Sequence, residues 1–187
     1  MSLRKAELRR ETKETRVEIY INLDGRGEHD IDVEDPFLKH MLSTFSIFSG
    51  FDLLVKATGD LPHHLVEDVG IALGESLNMA LEREKVKRFG YSIVPMDDAL
   101  IITAVDLARR AYFETNMNET DAREFDFKLY LHFLRSLSYS TPMTLHVYRI
   151  SGSDPHHLIE AAFKSLALSL KNATAPADRL LSLKGSL

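Results

Sequence analysis

The chain has 187 residues, 44% of them apolar and 27% charged, which suits one domain or two small units sharing a core. Lys plus Arg is 23 against 28 for Asp plus Glu, a formal net charge of −5 that leaves no basic excess for sequence-independent nucleic-acid binding. There is no Cys, which excludes a disulfide scaffold, a thiolate zinc site and a cysteine nucleophile.

No apolar run approaches the roughly 18 residues of a membrane span, and the polar start does not read as a signal peptide. The expectation is a soluble cytoplasmic protein with neither nucleic acid nor membrane as partner. Eight His stand against no Trp.

In chain order, Val17, Ile19, Ile21 and Leu23 alternate with polar residues, the pattern of a half-buried strand. Asp24-Gly25-Arg26-Gly27 is a turn, and Ile31 and Val33 suggest a returning strand. Pro36 opens a helix to about Phe48, which Gly50 ends. A strand over 51–58 and a turn over 59–62 lead into a helix from His63 to Glu84. Its apolar stripe is Val66, Val69, Leu73 and Leu77. Gly70 and Gly74 share a face of it, where another backbone could approach closely. Strands follow over 100–107 and 111–116, then a helix over 121–139, a strand over 143–150 and a helix over 155–172. The tail from Ala173 has no strong periodicity.

That order repeats. His63-His64-Leu65-Val66-Glu67 recurs as His156-His157-Leu158-Ile159-Glu160, a shift of 156 − 63 = 93. Under it the stripe maps onto Ile159, Ala162, Leu166 and Leu170, apolar throughout. A shift of 92 carries Leu53, Val55 and His40 onto Leu145, Val147 and His132; a shift of 82 carries Asp24 onto Asp106. The reading is an α/β chain made of a duplicated β-β-α-β-α half, with helices sandwiched between two four-stranded sheets. The halves are placed at 1–94 and 95–187 within one compact unit.

Six of the eight His fall at matched places: His40, His63, His64, His132, His156 and His157. Neutral imidazole is the commonest protein metal ligand. In His-His-x-x-Glu on a helix, the first His and the Glu are four apart and share a face, so they can hold one ion. The second His points about 100° away and is better placed to serve a different ion. Two motifs plus His40 and His132 then make two sites of three imidazoles and one carboxylate. Zinc and manganese both accept this donor set, and open positions for a substrate favour Mn²⁺.

These residues belong to a longer pattern. It includes Phe37-Leu38-Lys39-His40-Met41-Leu42, the two His-His motifs, Arg88-Phe89-Gly90, Pro95-Met96-Asp97-Asp98-Ala99, Asp106-Leu107-Ala108-Arg109-Arg110, Phe163-Lys164 and Ser182-Leu183-Lys184-Gly185. Over nearly its whole length the chain resembles the imidazoleglycerol-phosphate dehydratases of histidine biosynthesis. The resemblance implies an enzyme with two Mn²⁺ per active site that converts imidazole glycerol phosphate to imidazole acetol phosphate and water. It also implies a homo-oligomer of 24 subunits with active sites at the interfaces. Carried over, one ion takes His40, His64, His156 and Glu160, and the other takes His63, Glu67, His132 and His157. Arg88, Arg110, Lys164, Ser182 and Lys184 would hold the substrate phosphate, His40 would also touch substrate, and Glu14 would contact it beside the metals.

The chemistry accounts for such parts. The proton to be removed lies beside an imidazole ring and is not acidic, and hydroxide must leave. Two ions can act as Lewis acids and template. A carboxylate can shuttle the proton, a role assigned to Glu14. Arg and Lys suit a phosphate dianion. A dinuclear metallohydrolase acting on a small phosphorylated molecule is the rival reading. The family pattern is broken at Lys39, Asp154, Leu183 and the short link at Pro62, which bears on the groups around the ligands more than on the ligands.

Overall fold

The computed structural model of the chain describes residues 4–117, 126–179 and 181–183. The first half runs β1 (Lys5–Glu11), β2 (Thr15–Asn22), β3 (His29–Val33), α1 (Pro36–Ser49), β4 (Asp52–Gly59) and α2 (Pro62–Ala80). After a single 3₁₀ turn at Arg83–Lys85 the order repeats: β5 (Phe89–Met96), β6 (Ala99–Asp106), β7 (Tyr112–Thr115), α3 (Phe127–Ser140), β8 (Thr144–Ser151) and α4 (Pro155–Ala173).

Each half makes its own four-stranded sheet, in the orders β1-β2-β4-β3 and β5-β6-β8-β7. In both, the last strand of that order is parallel to its neighbour and the other pairs are antiparallel. α1 and α2 pack on the first sheet and α4 on the second, while α1 meets α4 and α2 meets α3 across the halves. One apolar core therefore joins both sheets through the helix layer. All eight stripe residues, Val66 to Leu77 and Ile159 to Leu170, are buried in it. The architecture is the expected α/β sandwich.

The repeating unit is longer than expected. Each half is β-β-β-α-β-α, because β1 and β5 lead it. β1 buries Ala6 alone among its seven residues, so its sequence carries no alternating apolar signal. In β5 the signal points the wrong way: Phe89, Tyr91 and Ile93 face solvent and Gly90 and Val94 face in. The cause is the close seat of α4, since a Cβ on Gly90 would overlap the Ser169 carbonyl and the Ala173 amide. β5 pairs with β6 over its whole length, so the 94/95 boundary falls inside a strand and the second half begins with β5. The helix expected to reach Glu84 stops at Ala80. The first residues of the helix expected from Asp121 lie outside the described ones; Asp126 caps α3 by accepting from the Leu129 amide at 3.3 Å.

Strand pairing also fixes the internal register. Ile19 pairs with Val55 and Thr103 with Val147, so the leading strands repeat at 103 − 19 = 84 rather than 82. Ile31 opposite Val55 and Thr115 opposite Val147 give the same 115 − 31 = 84. The step of two keeps the same residues facing in, which is why the alternation alone could not separate 82 from 84.

The 24–28 turn is organised by Asp52. Its carboxylate accepts from the amides of Arg26 (2.8 Å) and Glu28 (3.1 Å) and from the Asn22 side chain (2.8 Å). Partial burial raises its pKa, but these bonds outweigh burial and hold the carboxyl below its ordinary 3.8. A lowered folded pKa gives stability that is present above the unfolded value and lost as pH falls through the folded one. Asp52→Ala should therefore cost about 1–3 kcal/mol at pH 7 in urea unfolding. The gap from the parent should close as pH falls below about 4.

Candidate metal centre

α2 and α4 open alike, with Pro62 and Pro155 in the first turn followed by His-His. The helical pitch then sorts the side chains as anticipated. His63 Nε2 lies 3.5 Å from Glu67 Oε2, and His156 Nε2 lies 3.1 Å from Glu160 Oε2. The lone histidines arrive crosswise. His40 on α1 brings Nε2 to 3.3 Å from Glu160, because α1 packs on α4; His132 on α3 brings Nε2 to 3.1 Å from Glu67, because α3 packs on α2. Two trios result, His40–His156–Glu160 and His63–Glu67–His132, with ligand atoms within 4.8 Å of one another in each.

The second trio depends on the paired glycines of α2. A Cβ on Gly70 would stand 3.0 Å from the Phe133 carbonyl oxygen, and one on Gly74 2.7 Å from that of Leu137. The α3 backbone thus lies directly on this face, which carries His132 up to Glu67. The first trio is walled by Phe37, whose ring meets His156 edge-on at 5.1 Å and Tyr130 at 4.7 Å. Tyr130 in turn donates to Asp35, the N-cap of α1, at 3.1 Å, tying the starts of α1 and α3 together. Phe37 belongs to the sequence pattern around His40, but neither its place as a wall of the trio nor the Tyr130–Asp35 tie is marked by residue spacing.

The donor chemistry fits divalent ions. Glu160 is only 7% exposed; burial raises its pKa, yet the Lys164 ammonium at 2.8 Å and His40 outweigh burial and hold it below the ordinary value, so it is a carboxylate. His132 Nε2 is buried and, although close to Glu67, has no partner in hydrogen-bond geometry among the described residues. An ion coordinated there would satisfy it.

His64 and His157 do not join the trios of their own chain. His64 Nδ1 is 2.8 Å from Asp60 and 3.7 Å from Glu14; His157 Nδ1 is 2.9 Å from Asp98. These carboxylates raise both imidazole pKa values, chiefly through the Asp60 and Asp98 hydrogen bonds. Asp60 and Asp98 were not singled out by the sequence reading, though a carboxylate four before His64 was a visible signal. Glu14 sits in the β1–β2 turn, which Arg10 and Thr15 clamp to Asp68 on α2.

The cationic residues divide. Lys164 lies beside the first trio. Arg88, at φ 73°, forks onto Asp106 at 2.6 and 2.9 Å and donates to the Leu181 carbonyl, next to Ser182. The exposed Arg110 also faces Asp106, at 3.6 Å. This group lies at the far end of α4, where the Arg88 amide bonds the Ala173 carbonyl at 3.0 Å. From Glu160 to Ala173 is 173 − 160 = 13 residues, about 20 Å along the axis. Arg88 and Arg110 are thus remote from the first trio of their own chain. Lys184 lies outside the described residues.

Fold and site together define a duplicated α/β enzyme scaffold with two histidine–carboxylate centres. A family model described as imidazoleglycerol-phosphate dehydratase matches residues 33–170. The imidazoleglycerol-phosphate dehydratase of Desulforudis audaxviator is 48% identical over 179 residues, covering 92% of this chain and 91% of that protein. A crystal structure of IGPD from Pyrococcus furiosus in complex with (S)-C348 superposes with a TM-score of 0.88 at 42% identity, over 96% of this chain and 100% of that one. The Staphylococcus aureus imidazoleglycerol-phosphate dehydratase gives 0.83 at 31% identity, over 92% and 99%. The chain belongs to the imidazoleglycerol-phosphate dehydratase family and is a hydro-lyase.

Gly74→Ala tests the α2–α3 approach. Ala gains up to about 1 kcal/mol of helix propensity, but a 2.7 Å approach to backbone should leave a net loss of about 1–2 kcal/mol. Ion binding at the His63–Glu67–His132 trio should weaken while the His40–His156–Glu160 trio keeps its affinity, read by metal titration beside urea unfolding.

Proposed function

We propose that the chain dehydrates imidazole glycerol phosphate to imidazole acetol phosphate and water, as a step of histidine biosynthesis in the cytoplasm. The observation that carries the proposal is the pair of symmetric trios, each one imidazole short of the set of three imidazoles and one carboxylate, together with family membership. Two divalent ions, Mn²⁺ by preference, would supply Lewis acidity toward the substrate ring and hydroxyl oxygens.

The trios are completed by another copy. His64 of one copy would join a neighbour's His40–His156–Glu160, and His157 a neighbour's His63–Glu67–His132. This arrangement accounts for two facts: the second histidines point away from their own trios, and Arg88 and Arg110 lie far from the first trio of their own chain. Their group would then bind the phosphate of a substrate held at a neighbour's ions, with Ser182 and Lys184 beside them and Lys164 reaching in from the ion side. An assembly of 24 copies is the form proposed.

Glu67 and Glu160 would hold the ions as carboxylates, and the positive charge of the ions would favour neutral substrate imidazole nearby. Glu14 stands on a turn beside His64 and takes the proton from the carbon next to the ring.

Purified enzyme with Mn²⁺ should yield imidazole acetol phosphate and no free phosphate; phosphate release would instead identify a hydrolase. Glu14→Gln should lower kcat by about 10²–10⁴ with metal content unchanged. A change confined to KM would reduce Glu14 to a binding residue. Chelation at neutral pH should shrink the particle in light scattering and abolish turnover, and Mn²⁺ should restore both.

A further inference from the structure

The register of 84 brings two hairpin turns into correspondence. The Thr12 amide bonds the Thr15 carbonyl at 2.9 Å around Lys13-Glu14, and Met96 pairs with Ala99 around Asp97-Asp98. Since 98 − 14 = 84, Glu14 and Asp98 occupy the same position in the two halves. Both face Nδ1 of the second histidine of the adjacent motif, at 3.7 Å for Glu14 and 2.9 Å for Asp98.

The two carboxylates are held differently. Glu14 has no side-chain hydrogen bond among the described residues, because the bond to His64 Nδ1 goes to Asp60 at 2.8 Å. Asp98 has no such substitute, for Ser153 stands where the 93-residue repeat would place the mate of Asp60. Its Oδ1 takes the His157 bond. Its Oδ2 accepts from the amides of Ser153 (2.7 Å) and Asp154 (3.2 Å) and from the Ser153 hydroxyl at 3.4 Å. Asp154 in turn caps α4 by accepting from the His156 and His157 amides at 2.8 and 3.1 Å.

We propose that Asp98 is a positioning carboxylate that holds Nδ1–H of His157 and presents Nε2 to the ion of a neighbouring copy, while its repeat mate Glu14 is left free to move a proton. A neutral imidazole carries one N–H, and a carboxylate only accepts, so the bond to Asp98 assigns that hydrogen to Nδ1 and the ligating lone pair to Nε2. Nε2 lies 3.3 Å from Asp97 Oδ2, on a side chain 71% exposed, so an ion would displace only a surface contact. One ancestral turn position thus serves two tasks, and what separates them is whether a second carboxylate, Asp60, is present to hold the histidine.

The inference rests on the shared two-ion site proposed above, and its test separates the two. Manganese affinities are measured on the assembled enzyme by chelator competition without substrate. The parent should bind two ions per chain; if it does not, the site model fails before Asp98 is tested. Asp98→Asn should weaken one ion by about 10- to 100-fold and leave the other unchanged. Ser153→Ala, which removes only the 3.4 Å contact, should leave both unchanged. In ¹⁵N spectra of the zinc-loaded parent, His157 should show protonated Nδ1 and ligated Nε2. If Asp98 merely secured the start of α4, His156 and Glu160 would loosen too, and both ions would weaken together. Equal loss at both ions, no loss at either, or His157 ligating through Nδ1 would overturn the proposal. Should Asp98→Asn not assemble, Asp98→Glu, which retains charge and acceptor, should keep both ions within a few-fold of the parent, and selective loss at the other ion would refute it.

Discussion

The pitch of the α-helix is the constraint on which the rest depends. On α2 and α4, residues four apart share a face and adjacent residues lie about 100° apart. His63 with Glu67, and His156 with Glu160, can therefore meet one ion each, while His64 and His157 are turned away from it. The chain cannot bend this rule within a helix, so on the proposed ligand set each trio is one imidazole short in its own chain. Duplication supplies the symmetric surplus, two outward histidines for two incomplete trios.

Packing between the halves then selects which histidine joins which motif. The lone histidine of each half sits with the motif of the other, since α1 lies on α4 and α3 on α2. The small faces of α2 allow the second contact, and the Tyr130–Asp35 bond links the two helices that carry the lone histidines. A core continuous through both halves keeps the trios in fixed relation. The departures from the family pattern are accommodated locally. Asp154 still caps α4, the exposed Lys39 points away from the core, and the short link at Pro62 leaves Asp60 within reach of His64.

Much of this was legible in the sequence because it is periodic. The stripes of α2 and α4, the paired glycines and the His-His-x-x-Glu spacing all follow from 3.6 residues per turn; the stripe and the His-His motif recur, while the glycines stand on α2 alone, with Phe163 and Ala167 in their places on α4. β1 and β5 were illegible for opposite reasons: β1 buries a single Ala, and β5 turns its aromatics outward because α4 crowds its inner face. The roles of Asp60 and Asp98 depend on a turn and on a register known only from strand pairing. The distance of Arg88 from the trio on α4 was hidden too, since sequence proximity to a motif says nothing about which end of a helix a strand abuts.

The central claim, that each ion is held by two copies of the chain, is tested most directly by mixing two inactive variants. Glu160→Gln removes a trio member and His64→Ala an outward ligand proposed for the same ion. If the ligands come from different copies, unfolding the two variants together and reassembling them with Mn²⁺ should restore turnover that neither shows alone, in sites pairing an intact trio with an intact His64. Mixed particles of parent size that remain as inactive as the separate variants would contradict the account.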